Sequence, residues 1–141
     1  MRYSFLFDIE PIQQQRPRAR RMPKGVMLYD PKKVKQFKIA VGNMARVQMK
    51  QNEWERLEDR PLMLDVTFYR PIQQSISKAE HDRRARHEVL PIVKPDCDNY
   101  VKSCLDSLNG IVWKDDALIT DIRARKRYAE QPRIEIEVEG I

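Results

Sequence analysis

In YSFLFDIE, residues 3 to 10, apolar and polar positions alternate, and Phe5, Phe7 and Ile9 share one face. A period of two predicts a strand. Residues 11 to 29 are polar, basic and punctuated by Pro17, Pro23 and Gly25, which predicts a loop or a hairpin-like arm. Asp30 followed by Pro31 predicts a helix N-cap with proline at the first helical position. From there to about Gln51, Val34, Phe37, Val41, Met44 and Gln48 follow one helical face, while Lys32, Lys33, Lys35 and Lys38 fall largely on others. Gly42 weakens that helix without ending it. Arg60 and Pro61 break the chain, and LMLDVTFY (62 to 69) alternates as a second strand. Between Arg70 and Val93 there is little apolar face to bury. SKAE (Ser77 to Glu80) fits a capping box there, predicting a short helix in a charged, solvated excursion.

The periodicity then becomes helical again. Pro95 disfavours helix at Lys94, and Asp98 is the predicted cap of a helix from Asn99 to Leu108. Val101, Cys104, Leu105 and Leu108 form its apolar stripe, and Asn109 with Gly110 supplies a left-handed stop. IVW (111 to 113) reads as a short extended run, KDD as a turn, and LITDIRARKRY as a strand. Gln131 and Pro132 turn the chain into IEIEVEGI, where Ile134, Ile136 and Val138 alternate with glutamates. These elements predict an α+β fold: a single domain over residues 1 to 141, with a mixed β-sheet and two main helices in β-α-β-α-β-β order.

Composition narrows the function. No apolar run approaches the roughly 20 residues of a membrane span. Asp8 and Glu10 interrupt the N-terminal apolar residues before a signal-peptide core can form, so a cytoplasmic address is expected. Cys97 and Cys104 are too few for a disulfide framework and lack zinc-site spacing, and His81 and His87 lie in a charged segment. Nucleophilic Ser-His-Asp or Cys-His chemistry is not indicated. The net charge of +6 favours polyanionic partners. Arg16, Arg18, Arg20, Arg21 and Lys24 concentrate it on the arm, with Tyr29 beyond as an aromatic that can stack.

Against this basic background, KPDCDNYVKSCLDSLNGIVWKDD (Lys94 to Asp116) holds five aspartates. Asp96 and Asp98, two apart in an extended segment, would point to one side. An antiparallel return after Gly110 would bring Asp115 and Asp116 back toward the same helix end. Oxygen-only ligands suit Mg²⁺ or Mn²⁺. Lys102, one turn beyond Asp98, is spaced for an ion pair with it or for stabilising a phosphoryl transition state. Each acid also has a structural reading: Asp98 as a cap, Asp106 as solvated helix face or support, Asp115 and Asp116 as a turn, Asp121 as surface. A D-x-D motif does not choose between them.

The longer pattern does. K-P-D-C-D-N-Y-V-K from Lys94 to Lys102, then DSLNG, the apolar run, Asp115-Asp116 and DIRARK resemble the core signature of the RusA family of Holliday-junction resolvases. QQQRPRARRMPKGVMLYDPKKVK is similar to that family's basic arm. The resemblance implies a RusA-like fold and a homodimeric, Mg²⁺-dependent crossover junction endodeoxyribonuclease, with Mn²⁺ able to substitute, making paired symmetric nicks in four-way DNA during recombination and repair. It implies metal ligands at Asp96, Asp98 and Asp116 and a catalytic lysine at Lys102, with those four as the catalytic set. Arg16, Arg18, Arg20, Arg21, Lys24 and Lys94 are the expected DNA contacts. No membrane association or nucleotide cofactor is expected. Cys97 stands where the family usually has an aliphatic residue, and Ser77 to Val89 is longer and more charged than the pattern. A second reading, of a different class, is a non-catalytic DNA-binding protein of prophage origin, in which the acids are caps and turns. A nucleotide-sugar site built on D-x-D would need a longer chain.

Overall fold

The computed structural model describes residues 1 to 141. Its sheet has four strands in the order β1-β6-β4-β5: β1 (Arg2–Phe7), β4 (Leu62–Pro71), β5 (Ile119–Ala129) and β6 (Arg133–Gly140). β4 and β5 run parallel, whereas β6 pairs antiparallel with both β1 and β4, so the sheet is mixed as expected. The arm is a separate two-stranded ribbon, β2 (Arg18–Met22) and β3 (Gly25–Tyr29). Helix α1 spans Lys32–Gln51, α2 spans Lys78–Ala85 and α3 spans Cys97–Leu108. The α+β class with a mixed sheet is as expected; the hairpin-like arm forms the ribbon, and the short helix after Ser77 forms α2.

Alternation explains the sheet. Tyr3, Phe5 and Phe7 of β1, Leu62, Leu64, Val66 and Phe68 of β4, and Ile134, Ile136 and Val138 of β6 point into one core of 20 buried residues. Helices α1 and α3 contribute Phe37, Val41, Ala45 and Met49, and Tyr100, Cys104 and Leu108. The opposite sheet face is polar, with Asp65, Thr67, Arg125, Glu135 and Glu137 around a shallow depression. There Arg125 grips Asp65 through both terminal guanidinium nitrogens, at 2.6 and 3.2 Å. That contact holds the Asp65 carboxyl below its usual range.

Several local expectations are corrected. Strand β1 ends at Phe7, and Ile9 packs on the core from outside the strand. Pro31, rather than Asp30, takes the cap position of α1, with no side-chain cap bond. Asp30 is engaged elsewhere, with Lys38 and Gln14. The buried face of α3 is Tyr100, Ser103, Cys104, Ser107 and Leu108; Val101 and Leu105 are only partly buried. Small residues belong on that face because α1 approaches closely. A Cβ on Gly42 would sit 3.1 Å from Ile111 Cδ1 and 3.3 Å from the Ser107 carbonyl. The two serines satisfy their own hydroxyls inside the core: Ser107 donates to the Ser103 carbonyl, and the single Ser103 proton is shared between the carbonyls of Ile12 and Tyr100.

Gly110 ends α3 with φ +79°, as Asn109-Gly110 predicted. The IVW run is a turn rather than an extended segment. Val112 and Trp113 are fully buried, and backbone bonds tie this turn to Leu57. No helix is long and apolar enough to cross a membrane.

Candidate metal centre and nucleic-acid interface

Helix α3 starts earlier than its predicted first residue, and this changes the geometry of the paired aspartates. Asp96 is the extended cap residue, whereas Asp98 already lies in the first helical turn. The two therefore do not share a strand face. Both are exposed, and neither side chain accepts a hydrogen bond or ion pair from the protein. Beneath them Tyr100 stacks on Phe68 of β4, with ring centroids 5.2 Å apart, which seats the start of α3 on the sheet. Both carboxylates stand at the positive end of the helix dipole, which attracts negative charge.

The second acidic element comes back alongside α3. Asp115 caps a short 3₁₀ turn, Asp116–Leu118, by accepting from the Ala117 N–H at 3.1 Å, and the Asn109 side chain accepts from the Asp116 N–H at 3.0 Å. Asp115 is thereby held below the usual carboxylate range. Its hydrogen bond and charge push the Asp116 carboxyl upward, and Lys102 and Asp106 lie near enough to act on it. The Asn109 contact ties this turn to the C-terminal end of α3. No three His, Cys, Asp or Glu side chains are grouped closely enough to hold one ion. Asp96, Asp98 and Asp116 do not form a closed cage.

Lys102 does not pair with Asp98, the partner its spacing allowed. Its Nζ lies 3.1 Å from Asp106 Oδ1, one turn in the other direction. Asp106 is shared: Lys38 of α1 reaches its Oδ2 at 3.2 Å and Asp30 at 2.8 Å. Lys38 holds the Asp30 carboxyl below its ordinary range. A chain of alternating charges, Asp30–Lys38–Asp106–Lys102, therefore joins the end of the arm to α1 and α3. The lysine end stays open, since the Lys102 side chain remains 63% exposed. Lys38 and Asp30 were not recognisable as support residues. The Lys38–Asp106 contact spans 68 residues, and no spacing rule marks it.

The ribbon carries Arg18, Arg20, Arg21 and their neighbours on two fully exposed strands. Pairing sorts them. Arg18 opposite Tyr29 and Arg20 opposite Met27 lie on one face; Arg21 opposite Val26 lies on the other. Lys24 is in the tip turn, and Lys94 is exposed before α3. The side chains of Arg16, Arg18, Arg20, Arg21 and Lys24 make no internal ion pair or hydrogen bond. Both feet of the ribbon are fixed beside the acids. Gln14 donates from its backbone to the Asn99 carbonyl and from its side chain to Asp30, each at 2.9 Å. An open cleft of about 800 Å³ results, with Gln13 to Arg16 on one wall and Asp98, Asn99 and Lys102 on the other. So Asp98, Lys102 and the root of the basic arm share one recess. Asp96 and Asp116 lie outside its lining.

Residues 8 to 139 match the family model described as endodeoxyribonuclease RusA. The chain is 36% identical over 134 residues to the uncharacterised protein YqaN of Bacillus subtilis, covering 94% of this chain and 92% of that one. It is 25% identical over 143 residues to a crossover junction endodeoxyribonuclease, rusA, of Lactococcus phage r1t, covering 98% of each.

Proposed function

Because the chain belongs to the RusA endodeoxyribonuclease family, we propose that it is a Mg²⁺-dependent, structure-selective endonuclease that resolves four-way DNA junctions by paired symmetric nicks. Recombination and repair in the cytoplasm are the proposed setting. The observation that carries this reading is the recess in which Asp98 and Lys102 face the root of an unpaired cationic ribbon.

The donor set suits a hard divalent ion. Asp96 and Asp98 offer oxygens that nothing in the protein occupies, and Asp116 is crowded by Asp115 with too little positive charge beside it. Asp96, Asp98 and Asp116 are the proposed holders of Mg²⁺, or of Mn²⁺ in its place. When bound, the ion polarises a phosphodiester and lowers the pKa of attacking water. Lys102, anchored by Asp106 and open to solvent, is suited to stabilise charge developing on phosphate oxygens. Arg16, Arg18, Arg20, Arg21, Lys24 and Lys94 attract and hold the backbone phosphates.

A four-way junction has two equivalent strands to cut, and one chain supplies one such recess. A two-fold homodimer would present two matched sites. Incubation of the purified protein with a mobile synthetic four-way junction tests the reading. Paired nicks at symmetric positions, present with Mg²⁺ and absent with EDTA, are expected. Junction binding with no nicking under either condition would favour a non-catalytic DNA-binding protein instead.

A further inference from the structure

The loop that delivers Asp96 has few ties of its own. From Val89 to Pro95 the backbone makes no backbone–backbone hydrogen bond, and Ile92 is 94% exposed. Its hydrogen-bonded ties are three consecutive carbonyls, all held by cations from the sheet. Lys126 of β5 donates from Nζ to the Val93 and Pro95 carbonyls, each at 2.9 Å. Arg70 of β4 donates from a terminal nitrogen to the Lys94 carbonyl, also at 2.9 Å. β4 and β5 are parallel neighbours, with Phe68 opposite Lys126 and Arg70 opposite Tyr128. The two cations thus rise from adjacent strands under one stretch of loop, and Phe68 between them carries the Tyr100 ring of α3.

From this arrangement we infer that Lys126 and Arg70 are positioning residues that fix the Val93–Pro95 backbone, and through it Asp96 and the first turn of α3. The inference rests on the reading of Asp96 as a metal ligand. It gives a purpose to the lysine of the DIRARK strand that DNA contact does not supply. Two of the three N–H groups of Lys126 are committed to carbonyls rather than to solvent. A cation in this place has two opposed effects. Its charge alone disfavours a nearby divalent ion, whereas its hydrogen bonds hold the ligand loop in place. The sign of the change on removing it separates the two.

The test uses the full-length wild type, K126M, K126R and D96N. Mn²⁺ is titrated into each without DNA and followed by paramagnetic broadening of the Asp98 and Asn99 amide signals. Amide exchange is measured at Asn99 and Tyr100, whose N–H groups donate to the Asp96 carbonyl. K126M is expected to bind Mn²⁺ about 10-fold more weakly, the scale found for residues that support ligands, and to exchange faster at both amides. K126R, which can reach the same carbonyls, is expected to recover part of each. Mn²⁺ affinity in K126M equal to or above wild type, with exchange unchanged, overturns the inference. Unaltered Mn²⁺ affinity in D96N alongside faster exchange in K126M overturns the ligand assignment and leaves the loop clamp standing. Should K126M not fold, R70M carries the same comparison through the Lys94 carbonyl alone.

Discussion

Two populations of charge meet at helix α3, and they differ in whether the protein has already used them. Asp96, Asp98 and the arm cations Arg16 to Lys24 have no internal partner. Asp30, Lys38, Asp106, Asp65 and Arg125 are bound to one another within 3.2 Å. The paired charges lie in the scaffold, and the unpaired ones stand at the start of α3 and along the arm whose root shares its recess. Exposed pairs contribute little, about 0–1 kcal/mol each; under the proposed function the first population binds metal and DNA, and the second holds the scaffold in place. Lys102 belongs to both: it is anchored by Asp106 and open to the recess.

Substitutions should therefore separate activity from stability. The largest effect is expected for D96N. A divalent ion supplies several kcal/mol of transition-state stabilisation, so losing one of its ligands should cut junction cleavage about 10³-fold. An unpartnered surface acid should change unfolding free energy by less than about 0.5 kcal/mol. Junction affinity measured in EDTA should hold or rise, since a charge repelling phosphate is gone. A marked loss of stability in urea unfolding would place Asp96 with the paired scaffold instead. K102A should come next, lowering turnover about 10²-fold while leaving junction affinity nearly unchanged. Equal losses in both would make the lysine a phosphate anchor only.

Replacing Arg16, Arg18, Arg20 and Arg21 together by alanine should weaken binding with no change in unfolding. The log–log salt dependence should flatten by about 0.9 for each phosphate that these arginines no longer neutralise. An unaltered slope in fluorescence anisotropy titrations would take the arm off the DNA. D106N should show the reverse pattern to D96N: a loss of about 1 kcal/mol in stability and only about a tenfold fall in turnover, as Lys102 loses its anchor. Identical profiles for D96N and D106N would dissolve the distinction between the two populations.

The smallest effect is expected on the far sheet face. The Asp65 carboxyl titrates below its ordinary 3.8 because Arg125 binds its charged form. Its contribution is present above the unfolded value and fades as pH falls through the folded one. The Asp65 side chain is 39% exposed, so screening limits this to a few tenths of a kcal/mol. D65N and wild type should differ by that amount at pH 7 and converge at pH values below 3.8 in thermal melts; a gap that widens in acid would refute the pairing.

How much of this was legible depended on whether the information was local. Strands with a polar face announced themselves by alternation, as at Tyr3 to Phe7 and Ile134 to Val138. The Ser77 cap is also as expected, accepting from the Glu80 N–H at 3.2 Å. Helix starts were less legible: Asp30 and Asp98 both looked like caps, but tertiary partners claimed Asp30 and the helix simply began earlier at Cys97. The rotation of α3 toward Ser103 and Ser107 was hidden because serine normally signals surface. Only the close approach of α1 at Gly42 makes those small residues core. The long motif marked Asp96, Asp98, Lys102 and Asp116 by resemblance. Their supports had no such mark, because they meet across long stretches of chain. Lys38 and Asp106 are 68 residues apart, Lys126 and Pro95 are 31 apart, and Arg70 and Lys94 are 24 apart.

The account turns on whether Asp96, Asp98 and Asp116 can close on one ion. Anomalous diffraction from a Mn²⁺-soaked crystal of the protein with a four-way junction measures this directly. Manganese density within coordinating distance of oxygens from all three aspartates, beside a DNA phosphate, is the predicted result. Manganese held away from these carboxylates, or the three still separated with DNA in place, would contradict it.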